Sequence, residues 1–178
     1  MAATPQELQS LHTALKTEQD GRTFYLEAAE RASNPLAASV FEHLADEELV
    51  HIEVIQKFYD ELKSTGTCQE AESDLKAPDT PQTRLKNVFE KARQNMDREV
   101  TADTASLEAY EKAMEFEQKA YDMYKNLSSG SGDCVAGRLY EFMMEQENQH
   151  YVFLKETHDY LDKPGEWFQR QEKPLFEG

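Results

Sequence analysis

Three polar residues, two glutamates and a histidine, occur twice in the sequence at a constant offset, which makes six in all. They are Glu18, Glu48, His51, Glu117, Glu147 and His150. The last three repeat the first three 99 positions later, and each falls where its segment otherwise places apolar residues at steps of three and four. That spacing is typical of the buried face of an amphipathic helix. Because burying a bare carboxylate is costly, the repeat predicts two similar helical halves around one polar interior site.

Long segments rich in Ala, Leu, Glu, Lys, Gln and Met separate the scarce glycines and prolines, and these are strong helix formers. Four long helices are therefore predicted. They run from Thr4 to about Ser33, from Pro35 to about Lys63, from about Asp103 to Leu127, and from the turn at Ser128–Asp133 to about Asp162. Thr4 and Asn34 suit the cap position before a helix whose first residue is proline.

The lengths of the connections between these helices predict the topology of the bundle. Turns within each half are short, whereas residues 64–102 form a long connection with a shorter helix expected at about 81–95. This pattern indicates an all-α four-helix bundle with one crossover. We expect a single domain over residues 1–163 and a C-terminal tail over 164–178, whose Trp167 and Phe168 would cover the bundle or a dimer contact.

Hairpin geometry places the six polar residues at one level. Glu18 and the motif Glu48–His51 lie equally far from the break at Asn34, and the second half repeats this about its own turn. Four carboxylates balance two divalent ions, and oxygen ligands with one imidazole per metal suit iron or manganese. Without metal, some carboxyl pKa values should rise. The alternative is a set of buried ion-paired groups left from an ancestral metal site.

Charge and composition exclude other classes of function. The formal net charge of −16 disfavours nucleic acid and anionic membrane surfaces as partners. No apolar run is long enough to span a membrane, and no secretory signal is recognisable, so we expect a cytoplasmic protein. Cys68 and Cys134 are isolated, which argues against a sulfur-ligated metal site.

At these motifs the sequence resembles the ferritin-like di-iron carboxylate proteins, specifically the rubrerythrin-like branch. The resemblance rests on Glu18 followed by Phe24-Tyr25, Glu48-Leu-Val-His51, Glu117 followed by Met123-Tyr124, and Glu147-Asn-Gln-His150. It implies a ferritin-like bundle that binds two iron ions, with manganese or a mixed pair as alternatives. It further implies that Glu48 and Glu147 bridge the metals and that Glu18 and Glu117 bind terminally. Tyr25 and Tyr124 would hydrogen-bond the carboxylate ligands, unless they are ordinary core aromatics.

Two departures from the family pattern qualify what the resemblance implies. Rubrerythrins with a rubredoxin-like domain carry two Cys-x-x-Cys pairs, and this sequence has none, so electrons are expected from an external donor protein or a small reductant. The family's extra glutamate, three residues after the lone glutamate of the third helix, is Ala120 here, and its repeat mate is Gly21. Small residues at these positions would leave room for dioxygen or peroxide.

For the other polar and aromatic residues, the sequence predicts only whether each is buried or exposed. Arg22 lies on the buried stripe as a counter-ion or points outward, and Tyr121 is expected in the core. Glu47 lies beside the site or in solvent, because its repeat mate is Gln146. The remaining histidines are expected at the surface; they are His12, His43 and His158.

The leading functional hypothesis is a redox enzyme that reduces hydrogen peroxide or dioxygen, as in oxidative-stress defence, with electrons from outside the chain. A ferroxidase or iron-storage subunit is the first alternative. A non-catalytic bundle that a metal merely stabilises is the second. The oligomeric state is open, and a homodimer is one option.

Overall fold

The computed structural model describes residues 4–67, 104–131 and 135–163, together with Leu75 and Asn87. Within these ranges the chain forms four long helices, which confirms the predicted all-α bundle. They are α1 (Pro5–Arg31), α2 (Pro35–Thr65), α3 (Thr104–Ser131) and α4 (Val135–Asp162). Apart from Asn87, which is helical, the predicted short helix at 81–95 lies outside the described residues, as does the tail from residue 164.

The ends of α1 and α2 follow from their capping residues. The side chain of Thr4 accepts a hydrogen bond from the N–H of Glu7, whose carboxylate accepts one in return from the N–H of Thr4. Asn34 is buried, and its Oδ1 accepts from the N–H groups of Leu36 and Ala37. These bonds satisfy donors that the first helical turn leaves unpaired, so they fix where α1 and α2 begin.

The end of α3 differs from the prediction. Residues 128–131 were predicted as a turn, yet they complete the last turn of the helix. The hydroxyls of Ser129 and Ser131 donate to the carbonyls of Lys125 and Leu127, at 2.8 and 2.7 Å. A serine that bonds the carbonyl four residues earlier fits helical backbone, so turn-forming residues extend α3 here.

The helices pack as two hairpins. α1 lies mainly against α2 and α3 mainly against α4, while α1–α3 and α2–α4 contacts close the bundle. One apolar cluster contains Tyr25, Phe41 and Tyr110, and a second contains Leu11, Leu62 and Leu139. The six polar residues of the repeat lie between these clusters along every helix, in the middle of the bundle.

The positions of α2 and α3 agree with the single predicted crossover. Leu62, near the end of α2, belongs to one terminal apolar cluster. Tyr110, near the start of α3, belongs to the other and packs on Phe41 with ring centroids 4.8 Å apart. α2 therefore ends and α3 begins at opposite ends of the bundle, as a crossover requires.

Candidate metal centre

All four helices contribute to one buried polar layer. α1 and α3 each supply one glutamate, and α2 and α4 each supply a glutamate and a histidine one turn further on. None of the six side chains is more than 4% exposed. The structure therefore brings together every residue that the repeat predicted for the site: Glu18, Glu48, His51, Glu117, Glu147 and His150.

His51 faces three carboxylates through one ring nitrogen. Its Nδ1 lies 3.1 Å from Glu18 Oε2, 3.3 Å from Glu48 Oε2 and 3.9 Å from Glu147 Oε1. The contact with Glu18 joins α1 to α2 across the hairpin. One half of the site is thus formed by the Glu18–His51 pair.

His150 forms the corresponding half on the other hairpin. Its Nδ1 lies 3.4 Å from Glu48 Oε1 and 3.6 Å from Glu117 Oε1. The two imidazole rings stack with their centroids 5.2 Å apart. Glu48 thus turns one carboxylate oxygen toward each histidine, which is the position that the bridging role requires of it.

The unsatisfied atoms of this layer fit bound cations. Four fully buried atoms make no hydrogen bond within the described part of the chain: Glu48 Oε1, Glu117 Oε2, Glu147 Oε1 and His150 Nδ1. Buried polar groups normally find a partner, so such orphans require an explanation. Ligand atoms of Glu48, His51, Glu147 and His150 all lie within 4.8 Å of one another. Carboxylates with imidazoles suit iron or manganese, so the donor set fits a pair of divalent ions.

Two tyrosines support the carboxylates from the opposite hairpin. The hydroxyl of Tyr25 on α1 donates a hydrogen bond to Glu117 on α3, and that of Tyr124 on α3 donates to Glu18 on α1. Burial first, and then the charges of neighbouring carboxylates, raise the pKa of both phenols well above the usual value. Both hydroxyls therefore keep their protons and remain donors, which orients the two lone glutamates.

The metal-free layer holds protons at neutral pH. Burial and the charge of Glu48 raise the pKa of Glu18 to about 8. Burial with the charges of Glu18 and Glu117 raises the pKa of Glu147 well above its usual value. This agrees with the expected self-repulsion of the cluster. Burial also opposes ionisation of Glu48, but its close contacts with the imidazoles of His150 and His51 outweigh burial and lower its pKa below the usual range.

Both histidines are protonated in the same state. Burial would lower the pKa of His51, but its bonds to Glu18 and Glu48 raise it to about 9. For His150, burial is outweighed by Glu117 and Glu47, and the pKa lies well above its usual value. Metal binding at this layer must therefore displace protons from carboxyl groups and imidazoles.

Comparison with known families agrees with this geometry. The sequence model of the Rubrerythrin family matches residues 9–158, which include all six site residues. The chain belongs to the rubrerythrin family. Searches of curated proteins and of solved structures give no significant match. As a rubrerythrin-family member with a buried site for two metal ions, the chain is of the non-haem di-iron type.

Gly21, one of the departures from the rubrerythrin pattern, does not leave the space that was expected beside it. A Cβ built on Gly21 would lie 2.8 Å from Phe116 Cε1, so the space beside Gly21 is already filled. The Phe116 ring of α3 stacks on Phe24 of α1 with the ring centroids 6.4 Å apart. The expectation that Gly21 leaves room for an oxidant was therefore wrong. Ala120, its repeat mate, is buried.

A cleft between α3 and α4 reaches the site of this rubrerythrin-family protein. Its volume is about 200 Å³, and Glu117 and Glu147 form part of its wall. Tyr121, expected in the core, is half-buried and lines this cleft. The other lining residues are Gln118, Asn148 and Tyr151.

The structure corrects two expectations about the remaining histidines. His12 is exposed, as predicted. His43 and His158 are half-buried, because each ring packs edge-on against a core aromatic, Phe153 and Tyr110 respectively. Sequence spacing could have signalled this, since both histidines lie one turn from buried residues of their helices.

Glu47, which the sequence places either beside the site or in solvent, has a partner in the site. Its Oε2 lies 3.1 Å from His150 Nε2, the ring nitrogen that faces away from the carboxylate layer. The Glu47 side chain is 21% exposed. Its position next to Glu48 was the available signal, but helix periodicity alone does not say which residue of α4 it meets. Arg22, whose orientation was also left open, is half-buried.

Within the described ranges, no helix is long and apolar enough to cross a membrane.

Proposed function

We propose that this rubrerythrin-family protein reduces hydrogen peroxide at a pair of iron ions, with electrons from an external donor. Bound in the ferrous state, the two irons would supply two electrons, which with two protons convert one peroxide to two water molecules. The observation that carries the proposal is the buried layer of four glutamates and two histidines, whose unpaired atoms converge between the helices.

The chain's own residues would hold and orient the ions. Glu48, with one oxygen toward each histidine, would bridge the pair, and Glu147 would complete the bridge. Glu18 and Glu117 would bind at the two ends, each oriented by a tyrosine from the opposite hairpin. Because these ligands are buried, they would favour electron transfer to a bound oxidant over side reactions with solvent.

The cleft between α3 and α4 favours a small oxidant. Its volume of about 200 Å³ accommodates a peroxide and several waters, given about 30 Å³ per water in the liquid. Glu117 and Glu147 in its wall would place such a molecule beside the metal positions. The cleft therefore supports approach of the oxidant from the α3–α4 side.

The experiment that tests this function combines metal analysis with rapid kinetics. The protein is loaded anaerobically with ferrous iron, the metal content is measured, and oxidation is followed by stopped-flow absorbance after mixing with hydrogen peroxide or with dioxygen. We expect two irons per chain, fast oxidation by peroxide and slow oxidation by dioxygen. A His12→Ala variant, changed at an exposed position, serves as the matched control and should behave like the original protein.

Other outcomes would favour the alternatives. Fast oxidation by dioxygen, together with a solution mass of many subunits, would indicate an iron-oxidising or storage protein. Metal binding that raises the melting temperature without any reaction would indicate a structural bundle. Fewer than two irons per chain would contradict the proposed site itself.

A further inference from the structure

The two halves of the site are nearly equivalent inside the bundle but differ just outside it. Inside, each half has one histidine with its Nδ1 facing carboxylates. Outside, the His150 ring has a carboxylate partner, because Glu47 Oε2 lies 3.1 Å from His150 Nε2. The position equivalent to Glu47 in the other half, 99 residues along, is Gln146, which is 3% exposed. A neutral amide thus replaces a carboxylate in one half only.

The carboxylate of Glu47 also lies near a second imidazole, that of His43. Its other oxygen, Oε1, lies 3.7 Å from His43 Nε2. The His43 ring packs edge-on against Phe153, which is fully buried. Glu47 therefore lies between the half-buried His43 of α2 and the buried His150 of α4.

This contact bears directly on metal binding. When Glu47 accepts a hydrogen bond from the Nε2–H of His150, the Nδ1 of that ring is left to face the site as a ligand. When the hydrogen-bond acceptor is a carboxylate, the imidazole is a more basic metal ligand than when the acceptor is neutral. Loss of such a partner typically costs on the order of 10- to 100-fold in metal affinity.

We propose that Glu47 makes the two metal positions unequal, so that the Glu117–His150 position binds metal more tightly and fills before the Glu18–His51 position. Glu47 is a positioning residue in this account, because it acts through His150. The inference rests on the proposed two-metal site, but it does not depend on the reaction with peroxide.

Stepwise titration with Co²⁺ tests the inequality without redox chemistry. The metal-free protein is titrated against a competing chelator, and the visible absorbance of bound Co²⁺ reports each step. We expect two steps of different affinity in the original protein. Glu47→Gln makes the two halves alike at this position, so it should weaken the tighter step by roughly 10- to 100-fold and bring the two steps together.

The matched control is Asp46→Asn, which removes the same charge from the neighbouring exposed position of α2. It should leave both steps unchanged, which separates the hydrogen bond from a general loss of negative charge. Far-ultraviolet circular dichroism of both variants checks that the bundle is intact.

A spectroscopic signature distinguishes positioning from a general structural effect. In the Zn²⁺-loaded protein, the His150 Nε2–H should give a slowly exchanging, strongly downfield proton resonance in NMR spectra. Glu47→Gln should shift it upfield, whereas Asp46→Asn should not. If Glu47→Gln leaves this resonance and both Co²⁺ steps as they were, the inference is wrong although the two-metal site stands. If the original protein binds fewer than two Co²⁺, both the site and the inference fail.

Discussion

At the scale of single residues, the site depends on acidic side chains placed where an apolar side chain would stabilise the core more. Glu48 is the clearest example, since it is 1% exposed and contacts both histidines. Burying it without a partner would be strongly unfavourable. In the metal-free protein its partners are the protonated imidazoles, and with metal bound they would be the cations.

Replacing a central glutamate should remove metal. We expect Glu48→Ala or Glu147→Ala to lose at least one of two metals per chain, because each side chain lies between the two histidine positions. Inductively coupled plasma mass spectrometry after anaerobic loading measures this. Full occupancy with two metals in either variant would rule out the bridging assignment for that residue.

At the scale of elements, capping and close packing set how each hairpin presents its half of the site. A helix that began one residue later would rotate its buried face by about 100°, since there are about 3.6 residues per turn. The caps and the contact between α1 and α3 therefore act on the register of the six ligands as well as on stability.

The buried cap of α2 should matter more than the exposed cap of α1. Asn34→Ala removes two hydrogen bonds to the N–H groups of Leu36 and Ala37 in a buried turn. We expect it to cost about 1–2 kcal/mol, near the upper end for a lost cap. Thr4→Ala at the exposed start of α1 should cost less. Urea denaturation of the metal-free protein compares them, and an equal loss in the two variants would contradict this expectation.

Two helical glycines provide a matched pair for the α1–α3 contact. Gly130→Ala adds a methyl group into open space on α3 and should stabilise by roughly 0.5–1 kcal/mol, because alanine favours helix. Gly21→Ala places its Cβ against the Phe116 ring and should destabilise by about 1–2 kcal/mol. Thermal denaturation of both variants measures the difference. Stabilisation by Gly21→Ala would mean that the Phe116 ring moves aside at no cost.

At the scale of the whole molecule, the protonation of the polar layer links stability to pH. In the metal-free protein the pKa of Glu18 is raised to about 8 and that of His51 to about 9, and Glu147 and His150 are raised too. The native state then binds more protons than the unfolded chain above the ordinary carboxyl pKa. Stability must therefore fall as pH rises through this range.

The melting temperature of the metal-free protein should thus fall between about pH 6 and pH 9. The fall should be steepest between about pH 7 and pH 8, where native Glu18 and His51 still hold protons that the unfolded chain has lost. The difference in melting temperature between the metal-loaded and the metal-free protein should instead increase with pH. Metal binding releases these protons, so it becomes stronger as pH rises. Differential scanning calorimetry of both forms at several pH values tests this. Glu18→Gln should flatten the slope of the metal-free form; an unchanged slope would exclude Glu18 as a contributor.

The sequence by itself predicted the four helices, the single crossover and the six residues of the buried layer. Helix periodicity and the common offset of 99 residues suffice for this, because positions along a helix fix which side chains share a face and a level. The predicted turn after Leu127 was the main local error. Serine and glycine have turn propensity, but hydrogen bonds to the preceding turn allowed the helix to continue.

Only the tertiary structure decided which side chains meet between helices. It paired Tyr25 with Glu117 and Tyr124 with Glu18, filled the gap at Gly21 with Phe116, and brought Glu47 to His150. Such contacts depend on the spacing and crossing of neighbouring helices and on side-chain rotamers. Periodicity along one helix carries no information about these quantities.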